Sequence, residues 1–205
     1  MSPGKEAMVT DITQISANLL SFYDFSDKDV VSVGAGGGQM IEYARSAKKV
    51  LAVDSDPGAI EKLEEQVRSS GLADRFHIIQ SDFESTDVKG DVVLFEFCLH
   101  EMKDPAGAIA RARSMAPDLV IIDHLPESEW AYYAAEERQV RDSWDAVLAC
   151  AIRIRGSFSA AQCFRDYEEL QDRVRIRGEE SLRRIQRFAQ ETDIVIRMPY
   201  GIVLI

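Results

Sequence analysis

"VVSVGAGGGQMIEY", residues 30–43, is the stretch on which the reading of this chain turns. A β-branched run ends in four glycines within five positions (Gly34, Gly36, Gly37 and Gly38), and a helical pattern follows at once. Glycine reaches positive φ without penalty and lets backbone approach a bulky ligand closely. Such a turn can serve a dinucleotide phosphate, a nucleoside without phosphate, or only a sharp change of direction. The dinucleotide fingerprint G-x-G-x-x-G needs its third glycine where Gln39 stands. What the chain has is G-x-G-x-G, over Gly34, Gly36 and Gly38.

Outward from the turn, strand and helix signals alternate. Residues 9–23 place Ile12, Ile15, Leu19 and Leu20 at helical spacing and predict an amphipathic helix. Short, continuously apolar strands are expected at 29–33, 49–53, 75–80, 91–97 and 119–122. Helices are expected at 39–47, from Asp56-Pro57 to about Ser70 with Gly71 as its stop, and from Asp104-Pro105. Proline costs nothing in a first turn, where its missing N–H would have no partner. Apolar strands alternating with helices imply an α/β, doubly wound sheet covered on both faces. Beyond Pro126 the pattern is mainly helical to about residue 177, with a helix expected from Ser159, where Gln162 completes a capping box. A further helix is expected at 179–190. The end, "TDIVIRMPYGIVLI", reads as two strands joined by a turn at Met198-Pro199-Tyr200-Gly201, a hairpin at one side of the sheet.

Composition narrows the classes. The chain has 205 residues, 46% hydrophobic and 29% charged, as for one soluble globular domain with a full core. No apolar run approaches the roughly 20 residues that cross a bilayer, and the opening MSPGKEAMVTD lacks the apolar core of an export signal. Cys98, Cys150 and Cys163 are scattered, as expected of reduced thiols in a cytoplasm. The net charge is −11. Residues 1–126 carry 12 Lys and Arg against 21 Asp and Glu; residues 127–205 carry 12 against 14, all twelve cations being arginine. Such a chain is not drawn to nucleic acid or to an anionic membrane.

Several residues at predicted strand ends carry chemistry. Asp54, twenty residues after Gly34, can accept both hydroxyls of a ribose. Asp56 sits where a helix N-cap belongs. Asp82 can take an adenine amino group with Phe83 over the ring face, or Asp82 can simply close an Asx turn. His100 and His124 follow strands four and five, beside Glu101 and Asp123. Either is a candidate general base if an acceptor must lose a proton, and a hydrogen-bonded loop histidine otherwise. His77 lies at the opposite end of its strand and reads as structural. "HEMKD" lacks the second histidine of a zinc motif, since Asp104 stands there, and no metal is expected.

Together VVSVGAGGG, AVDSDP, QSDF and DVVLFEFCLHEM resemble the class I, Rossmann-like S-adenosylmethionine-dependent methyltransferases. The resemblance covers 29–126 and extends to 191–205. It implies a seven-stranded sheet, mostly parallel with an antiparallel C-terminal strand; residues 127–177 lie outside the resembled pattern, and this helical insertion is expected to form a lid over the acceptor together with the N-terminal helix. A single domain, 1–205, would divide into an N-terminal helix (1–28), a cofactor-binding core (29–126), an insertion near the acceptor (127–177) and a final helix with a strand hairpin (178–205). By the same resemblance Gly34, Ala35, Gly36 and Gly38 lie against the methionine part of the cofactor, and Asp54 and Ser55 at the ribose. Asp82 and Phe83 lie at the adenine, and Glu96 and Phe97 flank the sulfonium. Ser32 stands where such proteins commonly carry a carboxylate; it can hydrogen-bond the ligand amine but offers no charge. Trp130, Tyr133, Arg138, Arg141 and Trp144 are candidate acceptor contacts, the arginines hinting at an anionic acceptor. The reading is a cytoplasmic methyltransferase (EC 2.1.1 class) that moves a methyl group in line to a small molecule and releases S-adenosylhomocysteine. It needs neither nucleic acid nor membrane as partner and allows a homodimer. An NAD(P)-binding oxidoreductase, or a non-catalytic binding or regulatory protein of the same fold, remains the alternative.

Overall fold

The structure, a computed structural model, describes residues 12–36 and 38–205. The start of the expected first helix, the stretch 1–11 and Gly37 lie outside the described residues. Seven strands form one sheet in the order β3-β2-β1-β4-β5-β7-β6. The strands β1 (Asp29–Val33), β2 (Lys49–Asp54), β3 (Phe76–Gln80), β4 (Val92–Glu96) and β5 (Asp118–His124) pair in parallel. β7 (Thr192–Leu204) runs antiparallel to β5 on one side and to β6 (Ile154–Asp166) on the other. The expected architecture, mostly parallel with an antiparallel C-terminal strand, is the one found.

Alternating side chains explain why both faces are covered. In β4, Val92 and Leu94 join Ile15 and Leu19 of α1 (Ile12–Phe22) and Leu63 of α2 (Pro57–Ser69). Val93 and Phe95 join Ile109 and Ala112 of α3 (Pro105–Met115) on the other face. The proline-led helices start as read: Asp56 Oδ1 accepts the Gly58 N–H at 2.8 Å, and Asp104 Oδ1 accepts the Gly107 N–H at 2.9 Å. Gly71, at φ +69°, follows the end of α2. Among the described residues no helix is long and apolar enough to cross a membrane.

Three expectations fail, each for a physical reason. No α-helix spans 39–47; only a 3-10 turn, Glu42–Arg45, forms. Gly34, Gly36 and Gly38 all have positive φ, so a helix cannot begin before Gln39, and the chain must be back in the sheet by Lys49. The helix expected from Ser159 is strand β6, and Gln162 caps nothing there. The insertion is therefore not wholly helical: α4 (Glu129–Tyr133), α5 (Glu137–Leu148) and α6 (Tyr167–Val174) flank a 13-residue strand. The terminal hairpin is a single strand, β7, with no turn at Met198-Pro199-Tyr200-Gly201. Ser159–Gln162 and Met198–Gly201 are sequence signals for local turns, but register with a distant partner overrides them. The further helix at 179–190 appears as α7 (Glu179–Arg184) continued by a 3-10 turn, Ile185–Phe188.

Proline in an interior strand needs an explanation, because it removes a ladder donor. The Pro199 carbonyl accepts the Leu125 N–H at 3.0 Å, just past the end of β5, so the missing N–H falls beyond the last regular rung. Gly201 is demanded by packing. A Cβ there would lie 2.6 Å from the Trp144 ring, which packs on β7 from α5. Gly201→Ala is accordingly expected to overpack this contact and cost about 1–3 kcal/mol, read as a lower denaturant midpoint at unchanged m-value.

Candidate functional site

The predicted site residues come together because each follows the carboxyl end of a parallel strand. Gly34 and Gly36 follow β1, Asp54 ends β2, Asp82 and Phe83 follow β3, Glu96 ends β4 and His124 ends β5. β1 and β4 flank the point at which the strand order reverses, where open α/β sheets leave a crevice. A cleft of about 770 Å³ lies there. Gly34, Ala35, Gly36, Asp54 and Ser55 line it, as do Asp82, Phe83, Glu96, Phe97, His100 and His124. Ser32 and Gly38 do not.

The glycines divide by cause. At Gly34 (φ +68°) a Cβ would stand 2.5 Å from Cys98 Sγ, and at Gly38 (φ +73°) 3.0 Å from Gln66 Cβ. Internal packing accounts for both. Gly36 is different: its Cβ would meet only the Gly34 carbonyl at 3.3 Å, and its N–H donates to Asp54 Oδ2 at 3.2 Å. Gly36 is the glycine whose bare surface belongs to the cleft. Asp54 Oδ1 also accepts the Asp56 N–H at 3.0 Å, so this carboxylate ties the glycine loop to β2. Asp82 makes no side-chain capping bond to the 3-10 turn after it, which leaves its carboxylate to the cleft. Phe83 packs edge-on against Phe95 with centroids 5.3 Å apart.

Ser32 acts at one remove. It is fully buried, and its hydroxyl donates to Glu96 Oε1 at 2.5 Å; the Tyr43 hydroxyl donates to the same oxygen at 2.8 Å. Glu96 thus puts a carboxyl at the cleft wall that Ser32 itself lacks. Burial drives its pKa up to about 7, and nearby Asp54 adds to the rise, while the two hydroxyl bonds oppose it. Phe97 adopts φ +52°, a conformation rare for a bulky residue and found at sites where surrounding structure imposes it.

The two histidines differ sharply. Asp123, itself buried, accepts His100 Nδ1–H at 2.6 Å and the His100 backbone N–H at 3.1 Å. His100 Nε2 faces Glu136 Oε2 at 3.7 Å, and Arg177 is ion-paired to both Glu136 and Glu101. Burial lowers the His100 pKa, but Asp123 and Glu136 outweigh it and lift the value to about 10. His124 goes the other way: burial, reinforced by His100 and Arg177, pushes it down to about 4 against the pull of Asp123. His100, Glu101 and Glu136 offer donor atoms within 4.8 Å of one another, the one such cluster found among the described residues. Arg177 pairs with both carboxylates, so the cluster reads as an ion-pair network, with Glu136 Oε2 left without a hydrogen-bond partner.

Of the acceptor-side candidates only Trp130 lines the cleft. Trp144 is core, its Nε1–H donating to the His124 carbonyl at 2.5 Å. Tyr133 packs on Phe188 and accepts from Arg187 at 3.2 Å. Arg138 and Arg141 are exposed on the outer face of α5, with Arg138 paired to Asp142. The cations that do line the cleft are Lys103, Arg173 and Arg177, and Gln162, Cys163 and Phe164 come to it from β6. Sequence reasoning missed them because they depend on β6 being a strand. The Ser-Phe-Ser alternation at 157–159 was the available signal.

The donor set separates the ligand classes. The turns after β1, β2 and β3 bring Asp54, Asp56, Asp82 and Glu84 to the wall and no Lys or Arg. A pyrophosphate would find only like charge there, whereas a cationic sulfonium and ammonium would be attracted. The residues fit S-adenosylmethionine.

Comparison with known proteins agrees. Residues 31–117 match the family described as Methyltransferase domain. Ribosomal protein L11 methyltransferase of Haemophilus influenzae (strain PittEE) is 31% identical over 94 residues, which are 45% of this chain and 32% of that protein. The chain thus spans about a third of the length of the curated relative it matches. A candidate methyltransferase from Bacillus halodurans C-125 superposes with TM-score 0.67 at 17% identity, covering 95% of this chain and 97% of that one. An S-adenosylmethionine-dependent methyltransferase from Aquifex aeolicus gives 0.59 at 18% identity, covering 96% and 90%. The fold is the class I, Rossmann-like fold of S-adenosylmethionine-dependent methyltransferases, and the residues of this cleft fit S-adenosylmethionine.

Removing His100 leaves Asp123 buried and unpaired. His100→Gln is expected to cost about 3–5 kcal/mol near neutral pH. The folded pKa of His100 lies above its ordinary value of 6.5, so its stabilisation is full below about pH 6.5 and fades as pH rises through about 10. The gap in melting temperature between wild type and variant should therefore narrow from pH 6 to pH 10.

Proposed function

Taking residues 31–117 as a methyltransferase domain in a class I fold, we propose that the protein transfers the methyl group of S-adenosylmethionine to a small molecule. The observation that carries this is the division of the cleft. Its first half is acidic and free of cations, and its second half, beyond β4, sets Phe97, Trp130 and Phe164 beside His100, His124, Lys103, Arg173 and Arg177. A concave site that joins aromatic walls to convergent polar and charged groups suits a small ligand. The L11 methyltransferase relative is named for a protein substrate, but the likeness covers a third of that enzyme and does not carry its acceptor over.

When bound, the cofactor supplies a methyl group on sulfonium sulfur, whose C–S bond breaks with its electron pair going to sulfur as the acceptor's lone pair bonds the carbon. In this reading the chain binds, orients and excludes water. Asp54 and Ser55 take the ribose, Asp82 and Phe83 the adenine, and Gly34, Ala35 and Gly36 lie along the methionine part. Gly38 shapes the loop from behind. Glu96, held by Ser32 and Tyr43, offers a carboxyl near the positive sulfur, with Phe97 beside it.

Calorimetry tests the reading. S-adenosylmethionine and S-adenosylhomocysteine should bind and NADH should not. Asp54→Ala should weaken S-adenosylhomocysteine by about 10- to 100-fold, the worth of hydrogen bonds to a charged group. Tight NADH binding with no response to the other two would mark an oxidoreductase. Binding of both adenosyl ligands without homocysteine release across acceptors would mark a non-catalytic binder.

A further inference from the structure

Two histidine rings lie 5.3 Å apart at the cleft, and the fold treats them oppositely. Both nitrogens of His100 face carboxylates, Nδ1 bonding Asp123 and Nε2 looking toward Glu136. His124 has neither kind of partner. Its Nδ1 is enclosed without a hydrogen bond, although the ring lines the cleft and packs on Phe97 with centroids 4.9 Å apart. Nε2 is thus the ring atom through which His124 meets a ligand. Neighbouring titratable groups driven in opposite directions are how acid and base roles are assigned.

We propose that the acceptor is a hydroxyl compound whose oxygen sits beside His124, that His124 Nε2 takes the hydroxyl proton, and that the His100 cation steadies the oxygen as that proton leaves. The inference rests on the methyltransferase reading. In the proton step the O–H bond breaks, its electron pair stays on oxygen, and the proton forms an N–H bond at Nε2. An oxygen receiving a methyl group becomes a far stronger acid than an imidazolium, so a base with a pKa of about 4 suffices. The charges select against an amine. The charged groups acting on His124 are Asp123 on β5, His100 after β4, Glu136 before α5 and Arg177 after α6, while Glu96 and Glu101 line the same cleft. Asp123 is committed to His100, and Glu101 and Glu136 to Arg177. An ammonium would therefore stand against the His100 cation, and it would have to shed a proton before its nitrogen could take a methyl group. A neutral hydroxyl meets no such repulsion.

The chain has three histidines, so nitrogen-15 histidine spectra resolve every ring, with His77→Gln completing the assignment. At pH 7 in the S-adenosylhomocysteine complex, His124 should be neutral and His100 doubly protonated; the reverse pattern overturns the proposal without any turnover. Phenol, benzyl alcohol and benzylamine, offered with S-adenosylmethionine, should give methylation of the hydroxyls ahead of the amine. His124→Gln should lower kcat by at least about 100-fold while leaving S-adenosylhomocysteine affinity within twofold. Preferred amine methylation, or undiminished kcat in that variant, overturns it. Failure of the wild type to bind S-adenosylhomocysteine would instead sink the methyltransferase reading beneath it.

Discussion

One buried carboxylate, Asp123, organises the cleft end of this molecule. It closes on the ring and the backbone N–H of His100 and also accepts the His124 backbone N–H at 2.8 Å, pinning the loop after β4 to the end of β5. A charge taken out of water costs several kcal/mol unless its bonds are made, so the group is stable only as a completed set. Asp123 needs His100, Glu136 needs Arg177, and Arg177 rises from the turn after α6 to supply that need. The position of α6 and its neighbours is thus coupled to the protonation of two histidines several elements away. Burial does most to hold His124 below its ordinary range, and the His100 and Arg177 charges of this network add to it against the pull of Asp123 and Glu136.

The nucleoside half was legible in the sequence because its information is local. Asp54 and Glu96 end strands with continuous apolar runs and Asp82 follows the short Ile78-Ile79 strand, and strand ends in a parallel sheet share one edge. The acceptor half was illegible for the opposite reason. Ser159 and Gln162 form a sound capping box, and Pro199-Tyr200-Gly201 a sound turn, yet β6 and β7 pair across both. Only long-range register decides this, and no window of a few residues contains it. With β6 misread, Gln162, Cys163 and Phe164 were not placed at the cleft, and Arg138 and Arg141 were considered there when α5 points them to solvent. Ser32 carries a further lesson. A carboxyl does stand on the adjacent strand, at Glu96, where the Ser32 hydroxyl bonds it.

The charge asymmetry of the sequence becomes meaningful only in this arrangement. The acidic surplus of residues 1–126 includes the carboxylates that line the cleft after β2, β3 and β4. The arginines of the later part divide between solvent, where pairs such as Arg183–Glu180 contribute little, and the cleft, where Arg177 is tied into buried groups. Net charge by itself would not have separated these two populations.

β7 lies between β5 and β6, and β6 pairs with β7 alone. Until residues 192–204 are in place, β6 has no strand to pair with, and the wall it carries cannot exist. A chain emerging in order can assemble β1 to β5, and with them the adenosyl half, well before its last strand is available. Assembly therefore has two stages separated by a long loop closure, the slow kind of contact. The wall of the cleft made by the turns after β1 to β5 belongs to the early stage, and the wall that β6 carries belongs to the late one.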